Sequence, residues 1–366
     1  MKCQSVQTSG MILAAGWGTR LQPLSLVRAK PAVPLAGRPL VHYAMDLLYN
    51  LGIREAVINL HHLADTVREV VDAHPLPVSF SEEEIPLGTA GAVDRVRPHL
   101  EGKRLILING KIYFGGGLSD ALQFHLSTGA WVTLVLVPRA EVSPFTPVWL
   151  DESFRLRGFG RSESPPTDNT AGRVRAGVFT GIQIWEPEVL SFLSRGARDL
   201  IQDVYIPMLK AGAPVFGFWS SAPWYEASTP VRYLRASLEV TQLLKAGLGF
   251  PSGVEQSDLE PGAKVGVGCR VRRCVLWKDA FLPDGSVAEQ SVFSGGGPLP
   301  PAASWMQRIV TPRTPVLEEL ARRNDIPVES CYIAWPLEGI LPLTGSELSR
   351  RTDLQDRRKR EERGGR

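Results

Sequence analysis

The stretch Leu13 to Pro34, LAAGWGTRLQPLSLVRAKPAVP, sets a glycine-rich turn directly after an apolar run and follows it with cations, Arg20 and Lys30 among them. Gly16 and Gly18 carry no Cβ, so the chain there can approach a ligand closely and turn backbone N–H groups toward an anion. A lone G-x-G is equally a tight structural turn. Arg20 and Lys30 tip the balance toward phosphate: the arginine offers a planar fork of donors and the lysine a mobile point charge, which is what a triphosphate needs. A second stretch, Ile106 to Phe114 (ILINGKIYF), runs an apolar strand into Asn109-Gly110 and then delivers a further cation, Lys111. Open α/β sheets keep their chemistry at such strand ends.

The elements around these residues alternate. MILAAG reads as a strand, PLVHYAMDLLYNLG as a helix, EAVINL as a strand, ADTVREVVDAH as a helix and RLILING as a strand. LSDALQFHLSTG, WVTLVLV, FTGIQIW and DLIQDVYIPMLKAG continue the order as helix, strand, strand and helix. That alternation predicts βαβ units and a largely parallel sheet with helices on both faces. Between Pro144 and Ala176 the chain reads as a loop over a site, with Pro165-Pro166 and many Gly, Ser and Arg residues. A further helix is predicted in TPVRYLRASLEVTQLLKAG.

At about Gly253 the pattern changes. Apolar residues recur about every six positions, at Leu259, Val265 and Val271 and then, after a shift, at Leu276, Leu282 and Val287. This hexad spacing predicts a short left-handed β-helix with aliphatic ladders, in which Cys269 and Cys274 are small core or corner residues rather than a metal pair. The expected division is residues 1–245 for the α/β domain, 246–297 for the β-helix and 298–366 for an extension holding one helix, TPVLEELARRN, with a frayed charged tail.

At this point the motifs together resemble the sugar-1-phosphate nucleotidyltransferases, or NDP-sugar pyrophosphorylases, and among them the mannose-1-phosphate guanylyltransferase-like members. The pattern G-x-G-T-R-x-x-P-x-T followed by P-K-P reads here as GWGTRLQPLS and AKP, with Ser25 for the threonine and Ala29 for the first proline. EEEIPLGTAGAV resembles the base-recognition stretch, FTGIQIWEPEVL a sugar-side strand and WYEASTPVRYL the form W-x-D-I-G-T-P-x-x-Y-L. The likeness spans about residues 10 to 297 and implies a Rossmann-like α/β fold. It implies attack of a sugar-1-phosphate oxygen on the α-phosphorus of an NTP with loss of pyrophosphate. It assigns Arg20 and Lys30 to catalysis, and Leu13, Ala14, Ala15, Gly16, Gly18, Thr19, Leu87, Gly88, Thr89, Gly91 and Asn109 to the nucleotide. Glu84, Thr180 and Gly181 would line the sugar side. GTP with mannose-1-phosphate leads as the substrate pair, and the β-helix would offer an assembly surface for a second copy or an active paralogue.

The same likeness exposes a departure. The family holds Mg²⁺ on two aspartates, and here Lys111 and Glu226 stand at those positions. A lysine has no lone pair for a metal, so Glu226 is left as a weak candidate ligand. The Lys111 ammonium could take the metal's volume and pair with Glu226, leaving open an enzyme with altered metal use or a degenerate binder of NTP or NDP-sugar. The family's phosphate-holding lysine has no clear counterpart either, and Arg157, Arg161, Arg173 or Arg175 are its candidate substitutes.

Other features weigh less. His61 and His62 are adjacent on a turn and point apart, which favours a structural role, as does the helical setting of His125. Trp224 and Tyr225 are read as packing. A net charge of +3 over 366 residues, with the charged run concentrated from Arg350 to Arg366, predicts no nucleic-acid face. Four cysteines without CxxC spacing and the lack of a long apolar run predict a reduced, cytoplasmic protein with no membrane contact.

Overall fold

The computed structural model describes residues 6–138, 145–160, 174–194, 196, 198–246 and 249–350. The chain divides into two bodies, one of residues 1–16 with Leu40–Tyr225, the other of Trp17–Pro39 with residues 226–366. Cys3, Arg161, Pro165-Pro166, Arg173 and the run from 351 lie outside the described residues.

The first body is built on a nine-stranded sheet. Its strands are β1 (Thr8–Leu13), β2 (Ala56–Leu60), β3 (Val78–Glu82), β4 (Arg104–Asn109), β5 (Val132–Pro138), β6 (Pro147–Leu150), β7 (Leu156–Phe159), β8 (Arg175–Trp185) and β9 (Val215–Trp219). The order is β7-β6-β8-β4-β1-β2-β3, and β5 pairs with both β8 and β9. β4, β1, β2 and β3 are mutually parallel, whereas β8 runs antiparallel to β4, β5 and β6. Strands such as RLILIN and AVINL read as near-continuous apolar runs because both faces of a parallel sheet are covered. The core packs Met11, Leu105, Leu107 and Leu134 against Trp185, Tyr205 and Met208.

Two expectations change. Part of the stretch read as a loop, residues 147–159, forms the antiparallel pair β6–β7. Its PVWL strand is wholly buried between β7 and β8, where the Pro-rich surroundings masked it. DLIQDVYIPMLKAG is not one α-helix: Ile201–Tyr205 is a π-helical turn and Ile206–Lys210 a short α-helix. Pro207 has no N–H to donate to an ordinary helical ladder.

In the second body short strands stack in parallel at a constant spacing of 17 residues. Val254 pairs with Val271, Val271 with Ala288 and Ala288 with Trp305. Leu259, Leu276, Phe293 and Val310 form a second ladder, and Val265 pairs with Leu282 in a third. These inward residues make one core with Cys269 and Cys274, both buried free thiols. Ala288, not the expected Val287, takes the inward slot, because the shortened step of the 17-residue repeat falls between Ala288 and Phe293 and the step from Leu282 is a full hexad. The parallel stacks continue to Ser304–Met306 and Arg308–Pro312, and Tyr332–Pro336 adds an antiparallel edge. The predicted C-terminal helix is Pro315–Arg323, capped by Thr314, whose hydroxyl accepts the Leu317 N–H.

Candidate active site

The register of the parallel strands aligns their C-terminal ends. Leu13 lies beside Asn59 on one side and Asn109 on the other. The glycine-rich turn, the β2 end and the Asn109-Gly110-Lys111 turn therefore leave one edge of one sheet, where open α/β folds bind ligands.

Two buried side chains that motif reading did not single out tie this edge together. Asn59 Oδ1 accepts the Ala14 N–H at 2.7 Å, and Asn59 Nδ2 donates to Glu83 Oε1 at 2.7 Å. The other oxygen, Glu83 Oε2, accepts the Leu87 N–H at 2.8 Å. Through Asn59, one carboxylate thus links the end of β1 to the start of LGTAG. Asn59 and Glu83 are both 4% exposed, so each lost bond would strand a buried polar group. The sequence carried a signal for Asn59, the one polar residue in AVINL, since a polar side chain in a fully buried strand must find a partner. Glu84, the carboxylate expected on the sugar side, is exposed.

The LGTAG segment opens the helix Gly88–Arg95. Gly88 has φ +79°, and a Cβ there would lie 2.3 Å from the Arg198 carbonyl oxygen. Ala90 N–H donates to the same carbonyl, and Thr89 Oγ1 accepts the Leu200 N–H. Gly91 sits half-buried within the helix, with Leu87 half-buried just before it.

On the other flank Gly181 has φ +89°, and a Cβ there would meet Asn109 Nδ2 at 2.4 Å. Gly110 N–H donates to the Leu13 carbonyl, which fixes the turn on which Lys111 stands half-buried. Thr180 is buried and gives its hydroxyl to the Val135 carbonyl at 2.8 Å, while its own carbonyl accepts Trp224 Nε1 at 2.9 Å. Trp224 packs on Phe145 and Tyr225 on Tyr113.

The second body holds the residues that follow Gly16 in the glycine-rich stretch. Gly18 (φ +65°) caps the 3-10 turn Thr19–Leu21, and a Cβ on it would press on Ser25 Cβ at 2.9 Å, with Lys30 Cε at 3.6 Å. Ser25 Oγ donates to the Gly18 carbonyl at 2.9 Å, so serine keeps a hydroxyl where the family pattern has threonine. Lys30 is buried, whereas Arg20 and, in the first body, Gly16 are exposed. Glu226 is nearly buried, and its Oε2 lies 3.6 Å from Arg232 Nη1, one turn into the helix Pro230–Leu244. Motif reading missed Arg232.

These residues do not fit a magnesium ion. Lys111 offers no acceptor, Glu226 faces an arginine of its own body, and no cluster of three His, Cys, Asp or Glu able to hold a metal occurs among the described residues. The remaining candidates are engaged elsewhere. His61 Nδ1 donates to the Glu83 carbonyl, and buried His125 bonds Thr133 and Glu186, its pKa lowered by burial. Arg157 pairs with Asp151 at 2.8 Å, and Arg175 stands exposed at the start of β8. No described helix is long and apolar enough to cross a membrane.

Comparison with known proteins agrees with this geometry. A family described as "Nucleotidyl transferase" matches residues 9–242. The chain is similar to mannose-1-phosphate guanylyltransferase of Mycobacterium tuberculosis, 27% identical over 308 residues that cover 78% of this chain and 84% of that protein. It is also similar to UTP--glucose-1-phosphate uridylyltransferase of Synechocystis, 23% identical and covering 82% and 86% of the two chains. Among solved structures, HddC from Yersinia pseudotuberculosis shares the fold, with a TM-score of 0.53, 23% identity and coverage of 63% of this chain and 99% of that one. HddC complexed with GMP-PN matches with the same TM-score at 22% identity.

Proposed function

The chain belongs to the nucleotidyl transferase family, and we propose that it transfers a nucleotidyl group from an NTP to a sugar-1-phosphate, with GTP and mannose-1-phosphate as the favoured pair. The alignment of Leu13, Asn59 and Asn109 at one sheet edge carries this reading, because it brings the phosphate turn and the LGTAG segment under one buried network. The guanylyltransferase names among the relatives support the base and sugar, and the uridylyltransferase at comparable identity makes UTP with glucose-1-phosphate the runner-up.

In the proposed reaction a phosphate oxygen of the sugar-1-phosphate attacks the α-phosphorus, the α–β anhydride bond breaks and pyrophosphate leaves. Charge grows on the leaving group, so donors fixed beforehand do most of the work. Gly16, Gly18 and Thr19 present the phosphate-binding turn, exposed Arg20 steadies the departing pyrophosphate and Lys30 neutralises phosphate charge. Leu87 to Gly91 meet the base, Asn109 the nucleotide, and Gly181 with the Thr180 backbone and Glu84 border the sugar. We further propose that the 17-residue stacks form a short left-handed β-helix serving as an assembly surface, following a nucleotidyltransferase domain in a cytoplasmic enzyme.

Lys111 supports a second reading, a relative that holds NTP or NDP-sugar without turning it over. Loss of one metal ligand removes several kcal/mol of transition-state stabilisation, roughly two or more orders of magnitude in rate. Pyrophosphate release across NTP and sugar-1-phosphate pairs, with and without Mg²⁺, separates the readings when run beside Lys111→Asp. Slow turnover best with GTP and mannose-1-phosphate fits the first. An inert wild type that still binds nucleotide, with turnover gained by Lys111→Asp, fits the second. A chain that binds neither NTP nor NDP-sugar would sink both.

A further inference from the structure

The C-terminal extension, which has no readable role in the sequence, reaches the segment that follows the phosphate turn. Gln22 and Leu343 are bonded reciprocally: the Leu343 N–H donates to Gln22 Oε1 at 2.7 Å and Gln22 Nε2 donates to the Leu343 carbonyl at 3.0 Å. Gln22 is 2% exposed and Leu343 1%. Two residues on, Gly345 lies so close to Trp17 that a Cβ there would sit 2.7 Å from the indole. The segment leading to this contact is clamped in the same manner, with Leu341 N–H donating to Asn324 Oδ1 and Asn324 Nδ2 donating to the Leu341 carbonyl. The stretch beyond is started by a capping box, in which Thr344 N–H donates to Glu347 Oε2 and Glu347 N–H to Thr344 Oγ1, and Arg323 pairs with Glu347.

We propose that residues 341–348 are a brace that holds Trp17–Gln22 in its nucleotide-binding conformation, with Gln22 as a positioning residue. The inference rests on the proposed nucleotide role of that segment. The side of contact decides for positioning over blockade. The brace takes Trp17 and Gln22, while Arg20 stays exposed and Thr19 partly so. Gln22 closes the turn Thr19–Leu21, its N–H bonded to the Thr19 carbonyl, so fixing the Gln22 side chain fixes the backbone that carries Thr19 and Arg20. A segment pinned before the ligand arrives loses less freedom on binding. The same body pins the rest of the stretch: Arg28 Nη1 pairs with Glu260 at 2.8 Å, and the Pro34 carbonyl accepts the Tyr233 hydroxyl, itself bonded by Trp277 Nε1.

Two full-length variants test this by amide hydrogen exchange and by GTP titration calorimetry. Leu343→Pro removes the N–H given to Gln22, and Gly345→Val pushes bulk against Trp17 without touching the Gln22 bonds. Both are expected to speed exchange of the Thr19 to Gln22 amides about tenfold and to weaken GTP binding about tenfold, while exchange in the stacked strands from Val254 to Val310 stays as in the wild type. Unchanged exchange at Thr19 to Gln22 in both variants overturns the brace. Faster exchange with GTP affinity unchanged or improved overturns the positioning role, since a merely structural contact would leave the affinity of the folded protein alone. If the wild type binds no GTP, the nucleotide reading fails and the exchange result still decides the brace by itself. Should Leu343→Pro unfold, Gly345→Val carries both measurements.

Discussion

Asn59 and Glu83 share a buried hydrogen bond of 2.7 Å, and through it the Ala14 and Leu87 backbones are held by one amide and one carboxylate. The pair fixes two segments that a ligand on this sheet edge would touch at opposite ends. Glu83→Ala leaves the Asn59 amide and the Leu87 N–H without this acceptor, so a loss of about 2–4 kcal/mol in stability is expected. Glu83→Gln keeps the shape but turns one acceptor into a donor, and should cost less stability while weakening NTP binding at least fivefold. Urea denaturation and calorimetry check both.

Gly181→Ala and Gly16→Ala are expected to behave oppositely. Gly181 combines φ +89° with the Asn109 amide in the space a Cβ would take, so alanine should destabilise the protein by about 1–3 kcal/mol. Gly16 has no atom within 4 Å of a Cβ position and no positive φ, so its alanine variant should melt like the wild type. Its methyl would nevertheless stand on the phosphate side and raise the dissociation constant for NTP. Equal melting points for the two variants would contradict this placement.

Arg20→Ala should leave stability unchanged, because the side chain is exposed, and should lower pyrophosphate release by about 10²–10³-fold, the scale of a lost transition-state donor. Lys30→Ala should lower both, since the stem is buried beside Gly18. The measurements are thermal melting and single-turnover kinetics.

Asp258 gives the second body a pH dependence. Burial pushes its carboxyl up to about 6 from an ordinary 3.8, with Lys245 Nζ at 3.9 Å and the Ala36 backbone opposing the rise. The folded state then holds a proton that the unfolded chain has lost between about pH 4 and 6. Stability from this group is therefore greatest below about pH 4 and falls as pH rises to about 6, by about 3 kcal/mol. Asp258→Asn should remove that slope and be more stable than the wild type at pH 7, by up to that amount. Denaturation midpoints at pH 4.5, 5.5 and 7 decide it.

Much of the fold was legible because its elements announce themselves locally. AVINL and RLILIN are apolar runs of strand length, LSDALQFHLST carries a helix's period between two glycines, and the ladder positions Leu259, Val265, Leu276 and Leu282 repeat audibly along the chain. VSFSE and PVWL were harder. The first, β3, lies at the end of the sheet with half-buried and exposed residues and none buried, and the second is four residues long, too short for periodicity to speak. Glu83 and Arg232 could not be found from spacing, since nothing in the order of residues distinguishes Glu83 from its neighbours Glu82 and Glu84 until the chain turns one of them inward.

The sequence by itself determined the glycine-rich turn, the cations Arg20 and Lys30 beyond it and a lysine, not a carboxylate, at position 111, because glycine freedom, charge and the lack of a lone pair belong to residue types. The tertiary structure alone decided that Asn59 and Glu83 couple that turn to LGTAG, that Glu226 faces Arg232, and that Leu343 grips Gln22 across 321 residues of chain. These are contacts between polar groups driven to pair by burial, and burial is a property of the folded chain rather than of any stretch of its letters.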